Sequence, residues 1–173
     1  MDQRNIVGFT VITIIAAILT TISYYSEKKN PIVVGKSPDA AILVLRFVHF
    51  FAVMINLTYI FLFTPELDIY YIIFTIFLYG HWLFFKNECI LSYIEKIYYR
   101  KECPLGDLNM ANIYLNVVFR DYTNTMLLIF GFLSLVNFLI VIGRQQALSS
   151  RLRLGICIAF LAYVVVIVSV KRV

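Results

Sequence analysis

The chain has 173 residues, 61% of them hydrophobic and 14% charged, with a net charge of +5. Soluble domains average about 45–50% apolar and about 25% charged residues. This composition therefore excludes a soluble enzyme, a disordered tail and a disulfide-stapled secreted module. It describes roughly one domain whose principal solvent is the lipid bilayer.

A membrane-crossing helix needs about 20 apolar residues, and five stretches approach that length. The first, 6–25, holds no charge. It exceeds the apolar region of about 7–15 residues in a cleavable signal peptide and reads as a retained anchor. The second, 40–63, contains Arg46, His49 and Asn56 and is stopped by Pro65 and Glu66. The third, 69–85, carries His81 and Trp82 near its end. Its short connection to the second predicts an antiparallel helical hairpin.

The segment 86–125 follows. Asn87 is a plausible N-cap for a helix beginning at Glu88. There Ile90, Leu91, Ile94, Ile97 and Tyr98 recur at helical spacing, opposite Cys89, Ser92 and Lys96. Pro104 and Gly106 break that helix. Asp107 or Asn109 would cap another, with Ile113, Tyr114, Val117 and Val118 on one face. Both helices are expected to lie in the membrane interface or pack under the bundle. The fourth and fifth apolar stretches are 126–142 and 154–170. The expected fold is an all-α polytopic transmembrane bundle, a single integral membrane domain over 1–173, with about five spans and one or two interfacial helices.

Basic residues set the orientation. Arg4, Arg144, Arg151 and Arg153 fall on one side of such a bundle, and ten Lys and Arg residues fall on the other. That asymmetry places the N-terminus outside and the C-terminus in the cytoplasm. The basic residues flank apolar runs rather than forming a stripe on a polar surface, which argues against nucleic acid.

Lipid tails are as apolar as leucine, so helices associate through close packing or polar contacts. Gly155, Ala159 and Ala162 form a small-residue stripe on the fifth span. Gly131, Ser134 and Asn137 do so on the fourth, and Thr13, Ala16, Ala17 and Thr20 on the first. Packing within the bundle is the simpler use of these stripes, and a homo-oligomer contact through Gly155 and Ala159 is the alternative. Tyr24, Tyr25, Tyr70, Tyr71, Trp82, Tyr98, Tyr99 and Tyr122 lie near span ends, where amphipathic rings sit well.

One polar constellation stands out. Arg46 and His49 share a helix face, roughly 9 and 13 Å into their span, and His81 lies roughly 6 Å before the end of the returning one. All three fall in one leaflet, with Glu88, Cys89 and Glu95 just below. An intramembrane arginine calls for a partner, and Glu88 or Glu95 is expected to supply it. The constellation reads as a structural hydrogen-bonded cluster, as haem ligation by His49 and His81, or as a proton or ion relay. Cys89, at a helix start where a thiol becomes more acidic, could act as a nucleophile with His81 as base. Cys103 is a candidate lipidation site. The three cysteines form no CxxC pair, so dithiol and zinc-ribbon chemistry lack a signature. GxGxxG, P-loop, HExxH and GxSxG strings are absent from the sequence. No metal site and no resident cofactor are expected.

The string Cys89-Ile90-Leu91-Ser92-Tyr93-Ile94-Glu95 resembles the Cys-Pro-Leu-Thr-x-Leu-Glu signature of a family of small bacterial membrane proteins, with Ile90 at the proline position and Ser92 at the threonine. His49 and Trp82 match that family's histidine in an earlier span and its tryptophan before the signature. His81-Trp82, taken with the run 87–96, looks more like multi-span membrane proteins of large DNA viruses. The Ile, Tyr, Phe, Asn and Lys content is the bias of an AT-rich genome. The resemblance implies no activity. It implies a viral or host-derived membrane as the setting, with other membrane or capsid proteins as partners. The leading expectation is a non-enzymatic structural membrane protein making contacts through 86–125. The alternatives are a small membrane enzyme or redox protein using Cys89, His49 and His81, and a channel or transporter subunit.

Overall fold

The computed structural model describes residues 2–33, 36–86, 88–106 and 113–170, without the side chains of 164 and 166–170. Within these residues the chain is all-helical. Helix α1 spans Gln3–Lys29. The Asp2 carboxylate caps its start by accepting the Arg4 N–H at 3.0 Å. Lys28 and Lys29 complement the dipole in its last turn. Helix α2, Ala40–Leu62, is capped by Asp39, which accepts the Ile42 N–H at 2.9 Å. A 3-10 turn at Pro65–Leu67 leads into α3, Asp68–Phe84. Helix α4 is Ile90–Tyr99 and α5 is Ile113–Phe119. After a second 3-10 turn, α6 covers Thr123–Arg144 and α7 Ser150–Val170.

Four helical stretches among the described residues are long and apolar enough to cross a membrane: Gln3–Lys29, Ala40–Leu62, Pro65–Phe84 and Ile113–Arg144. Helix α7 lies where the fifth span is expected. The fold is thus an all-α polytopic transmembrane bundle, with α4 as a short helix outside the spans.

Helices α1 and α2 run antiparallel in close contact. Asn5 at the start of α1 bonds Thr64 just past the end of α2, with Nδ2–Oγ1 at 2.8 Å and the Thr64 N–H donating to Oδ1 at 2.9 Å. A Cβ added at Gly8 would stand 2.8 Å from the Leu62 carbonyl. Gly8 is thus the glycine on which this approach depends. Helix α6 packs against α2 through a polar ladder. Asn56 Oδ1 accepts from Ser134 at 3.3 Å and from Thr75 at 3.4 Å, and Asn137 donates to the Leu57 carbonyl at 2.9 Å. Ile12, Tyr59, Phe63, Phe138, Val141 and Ile142 fill the apolar core beside this ladder.

Several sequence expectations are corrected here. The stripe on α7 does not pack inside the bundle: Gly155, Ala159 and Ala162 are exposed, and a Cβ at Gly155 would meet nothing within 4 Å. The α6 stripe splits, with Ser134 and Asn137 buried and Gly131 facing outward. On α1, Ala16 is buried while Thr13 and Ala17 are exposed, because its packing face runs through Asn5, Gly8, Ile12, Ala16, Ser23 and Glu27. Helix α4 starts at Ile90 with Cys89 as its N-cap, not at Glu88. The Glu88 carboxylate is drawn to Lys96 instead. Asn87, Asp107 and Asn109 lie outside the described residues. Tyr99 and Tyr71 are buried rather than seated in an interfacial belt, whereas Tyr25, Tyr70 and Tyr122 are exposed.

Candidate functional site

The end of the bundle that holds α4 contains a buried charge cluster. Arg46, on α2, is fully buried. Its guanidinium contacts Glu95 of α4 at 2.6 Å and Glu27 of α1 at 2.7 Å. Its Nε donates to Glu95 Oε1 at 2.7 Å. Two neutral hydroxyls complete the shell: Nη2 donates to Tyr99 Oη at 3.2 Å and Nη1 to Ser23 Oγ at 3.4 Å. The Tyr99 hydroxyl in turn donates to Glu27 Oε1 at 2.6 Å. Three helices are thereby joined through one cation, and Glu27 and Glu95 are each 1% exposed.

A charge leaves water at a cost of several kcal/mol, which only good geometry and further hydrogen bonds offset. The planar guanidinium fork suits two carboxylates better than an ammonium would. Two carboxylates face one guanidinium, so one negative charge is in excess. Burial pushes the Glu95 carboxyl above its usual range, and Arg46 pulls it only part of the way back. Burial also raises the Tyr99 phenol, which keeps its proton and serves as the donor to Glu27.

A second buried pair ties the loops on either side of α4. Lys96 Nζ meets Glu88 at 2.7 Å, and both side chains are at most 1% exposed. Lys96 also donates to the Pro104 carbonyl at 3.1 Å, and the Gly106 N–H donates to Glu88 Oε2 at 2.9 Å. Gly106 has φ +88°, in the left-handed region that favours glycine, and a Cβ there would stand 3.0 Å from Lys86.

These two pairs reverse the usual sense of an amphipathic helix. Ser92, Glu95, Lys96 and Tyr99 form the buried face of α4, while Ile94 is 42% exposed. The spacing of Ile90, Leu91, Ile94 and Ile97 marks the apolar face correctly, but that face is only half-buried at Ile90, Leu91 and Ile97 and is exposed at Ile94. In water this arrangement would be unfavourable. At a bilayer interface the outward apolar face has lipid to meet.

The remaining candidate residues sit beside this cluster. His49 is buried and stacks on Tyr114, with ring centroids 3.7 Å apart. His81 is half-buried. Its Nε2 accepts the Ile90 N–H at 3.3 Å, a side-chain cap on the first turn of α4, and its Nδ1 lies 3.3 Å from the Phe77 carbonyl. Cys89 is buried, and burial pushes its thiol up; the backbone N–H groups of Ser92 and Leu91 offset this only in part. The buried Trp82 indole N–H has no hydrogen-bond partner among the described residues. A protonated, enclosed thiol is a poor nucleophile. Coordination of an iron by both imidazoles would require His81 to release α4. Among the described residues no group of three His, Cys, Asp or Glu side chains has the geometry to hold a metal.

Arg46 therefore meets Glu95, whereas Glu88 belongs to Lys96. Sequence reasoning missed Glu27, Ser23, Tyr99 and Lys96. The signals were present: Glu27 is the only acidic residue of α1 and lies four residues from Ser23, on one face, as Tyr99 does from Glu95. Comparison with protein-family models, with curated proteins and with solved structures returned no match.

Proposed function

We propose that this chain is a non-enzymatic integral membrane protein that presents the 86–125 segment as a fixed contact platform for neighbouring membrane or shell proteins. The observation that carries the reading is the inverted α4, clamped through its buried polar face by Arg46–Glu95 and Lys96–Glu88, with Ile94 of its apolar face exposed. Of the side chains that chemistry would need, His81 caps this helix, His49 stacks on Tyr114 and Cys89 is enclosed. Around it Lys28, Lys29, Lys86, Arg100, Lys101 and Arg120 are exposed, a basic rim suited to acidic partner surfaces.

The same rim supports a cytoplasmic placement of this end. At the opposite end Arg144 is bound by Asp68 through two contacts, at 2.6 and 2.8 Å. Its charge therefore weighs less against that orientation than sequence counting suggests. The proposed partners include capsid or other membrane proteins, in a viral or host-derived membrane.

The test is cross-linking in the native membrane, comparing the wild-type chain with a triple Lys86→Gln, Arg100→Gln, Lys101→Gln variant. The proposal expects defined neighbours to be captured through 86–125 and lost in the variant, with folding unchanged. Cross-links that ignore this rim, ion flux in proteoliposomes or a Soret band in the purified protein would each overturn it.

A further inference from the structure

At the α4 end, a cavity of about 370 Å³ opens between the last turn of α1 and α5. Ser26 and Asn30 line one wall, Ile32 and Val117 supply apolar surface, and Arg120 stands at the exposed rim. The Ser26 hydroxyl donates to the Val117 carbonyl at 2.7 Å, which fixes the two walls relative to each other. Among the described residues none that lines the cavity is acidic. Helix α1 has 27 residues; at about 1.5 Å per residue it is about 40 Å long, against a hydrocarbon layer of about 30 Å. The excess of about 10 Å allows its last turn, and so the cavity, to reach headgroup depth.

Arg120 has φ +48°, a left-handed conformation that glycine would occupy with less strain. A long cationic side chain nevertheless occupies this position, at the mouth of a mixed polar and apolar cavity. A guanidinium fork matches phosphate oxygens in two-point contact, and the Asn30 amide adds a donor. The apolar wall suits the glycerol and first methylenes of a lipid.

From this geometry we infer that the cavity binds the phosphodiester headgroup of an anionic lipid, with Arg120 as its principal cation. The inference rests on the membrane placement argued above. Failure of the full chain to insert into vesicles would remove that placement, whereas an inserting chain without headgroup selectivity removes only this site.

The test uses the full-length protein in neutral detergent, following its thermal midpoint while phosphatidylglycerol, phosphatidylcholine or inorganic phosphate is titrated. Phosphatidylglycerol is expected to raise the midpoint, and the other two to leave it unchanged. Arg120→Gln should weaken the response about fivefold, the worth of one cation at an anionic surface. Arg120→Gly should do the same while relaxing the backbone, so the loss cannot be ascribed to misfolding. Arg151→Gln, an exposed cation at the opposite end and outside the basic rim, should change nothing. The site is overturned by equal responses to the two lipids, or by Arg151→Gln weakening the effect as much as Arg120→Gln. A response to inorganic phosphate matching that to lipid overturns the lipid assignment.

Discussion

The two ends of the bundle solve the same problem differently. At one end Asp68 and Arg144 pair one to one, with the Tyr59 hydroxyl donating to Asp68 at 3.1 Å, and the Arg144 side chain stays 29% exposed. At the other end Arg46 is fully buried and faces two carboxylates from two other helices. The first pair keeps access to water and binds α6 to the start of α3. The second has no water to fall back on, and three helices depend on it. The comparison teaches that the α4 end is built around its charges, while the Asp68 end merely uses them.

The sharpest way to break this contrast is Arg46→Ala. Removing one member of a buried pair leaves uncompensated charge and costs about 3–5 kcal/mol, here with both Glu27 and Glu95 stranded. The expected outcome is loss of monodisperse protein on size-exclusion chromatography in detergent, or a large drop in thermal midpoint. Arg46→Met combined with Glu27→Gln and Glu95→Gln should recover much of that loss, since no buried charge then remains. Next in size is Gly8→Leu, which forces the α1–α2 contact apart at the Leu62 carbonyl. Overpacking of this kind costs about 1–3 kcal/mol, read as a lower midpoint without loss of the α4 cluster. Asp68→Asn should cost less, about 1 kcal/mol, because Arg144 regains hydration when its partner is removed.

The α4 end should also respond to pH. The folded-state pKa of Glu95 is raised by burial, less the opposing pull of Arg46. A carboxyl raised in the folded state contributes stability fully below its unfolded pKa, about 4.3. That contribution is lost as pH rises through the higher folded value. The thermal midpoint should therefore fall over this window, and Glu95→Gln should flatten the decline.

The sequence made the spans legible because hydropathy over about 20 residues is a strong signal, and Asp39 and Pro65 bracket α2 clearly. Arg46 drew notice for the same reason: a charge inside a span demands an explanation. Its second partner did not, because Glu27 sits beside Lys28 and Lys29 and reads as solvated helix-end charge. Lys96 was hidden likewise, since a lysine opposite an apolar face ordinarily marks the wet side. Which side of α4 faces the bundle depends on charges 49 and 8 residues apart, Arg46 with Glu95 and Glu88 with Lys96. Periodicity identifies a helix's two faces but not what each will meet. The small-residue stripes divide for a related reason, with Ala16, Ser134 and Asn137 buried and Gly131 and Gly155 facing outward. Small side chains permit close approach without requiring it, and among the described helical glycines only Gly8 has a neighbouring backbone close enough to need one.

The account turns on the outward apolar face of α4, and a nitroxide at position 94 reports on it directly. In a background with Cys89, Cys103 and Cys157 replaced by serine, Ile94→Cys would be spin-labelled and the full chain reconstituted in vesicles. Power-saturation spectroscopy would then compare collisions with dissolved oxygen, which concentrates in lipid, and with a water-soluble nickel chelate. The account predicts that oxygen dominates at position 94. Dominance of the nickel chelate there would place the apolar face of α4 in water and contradict it.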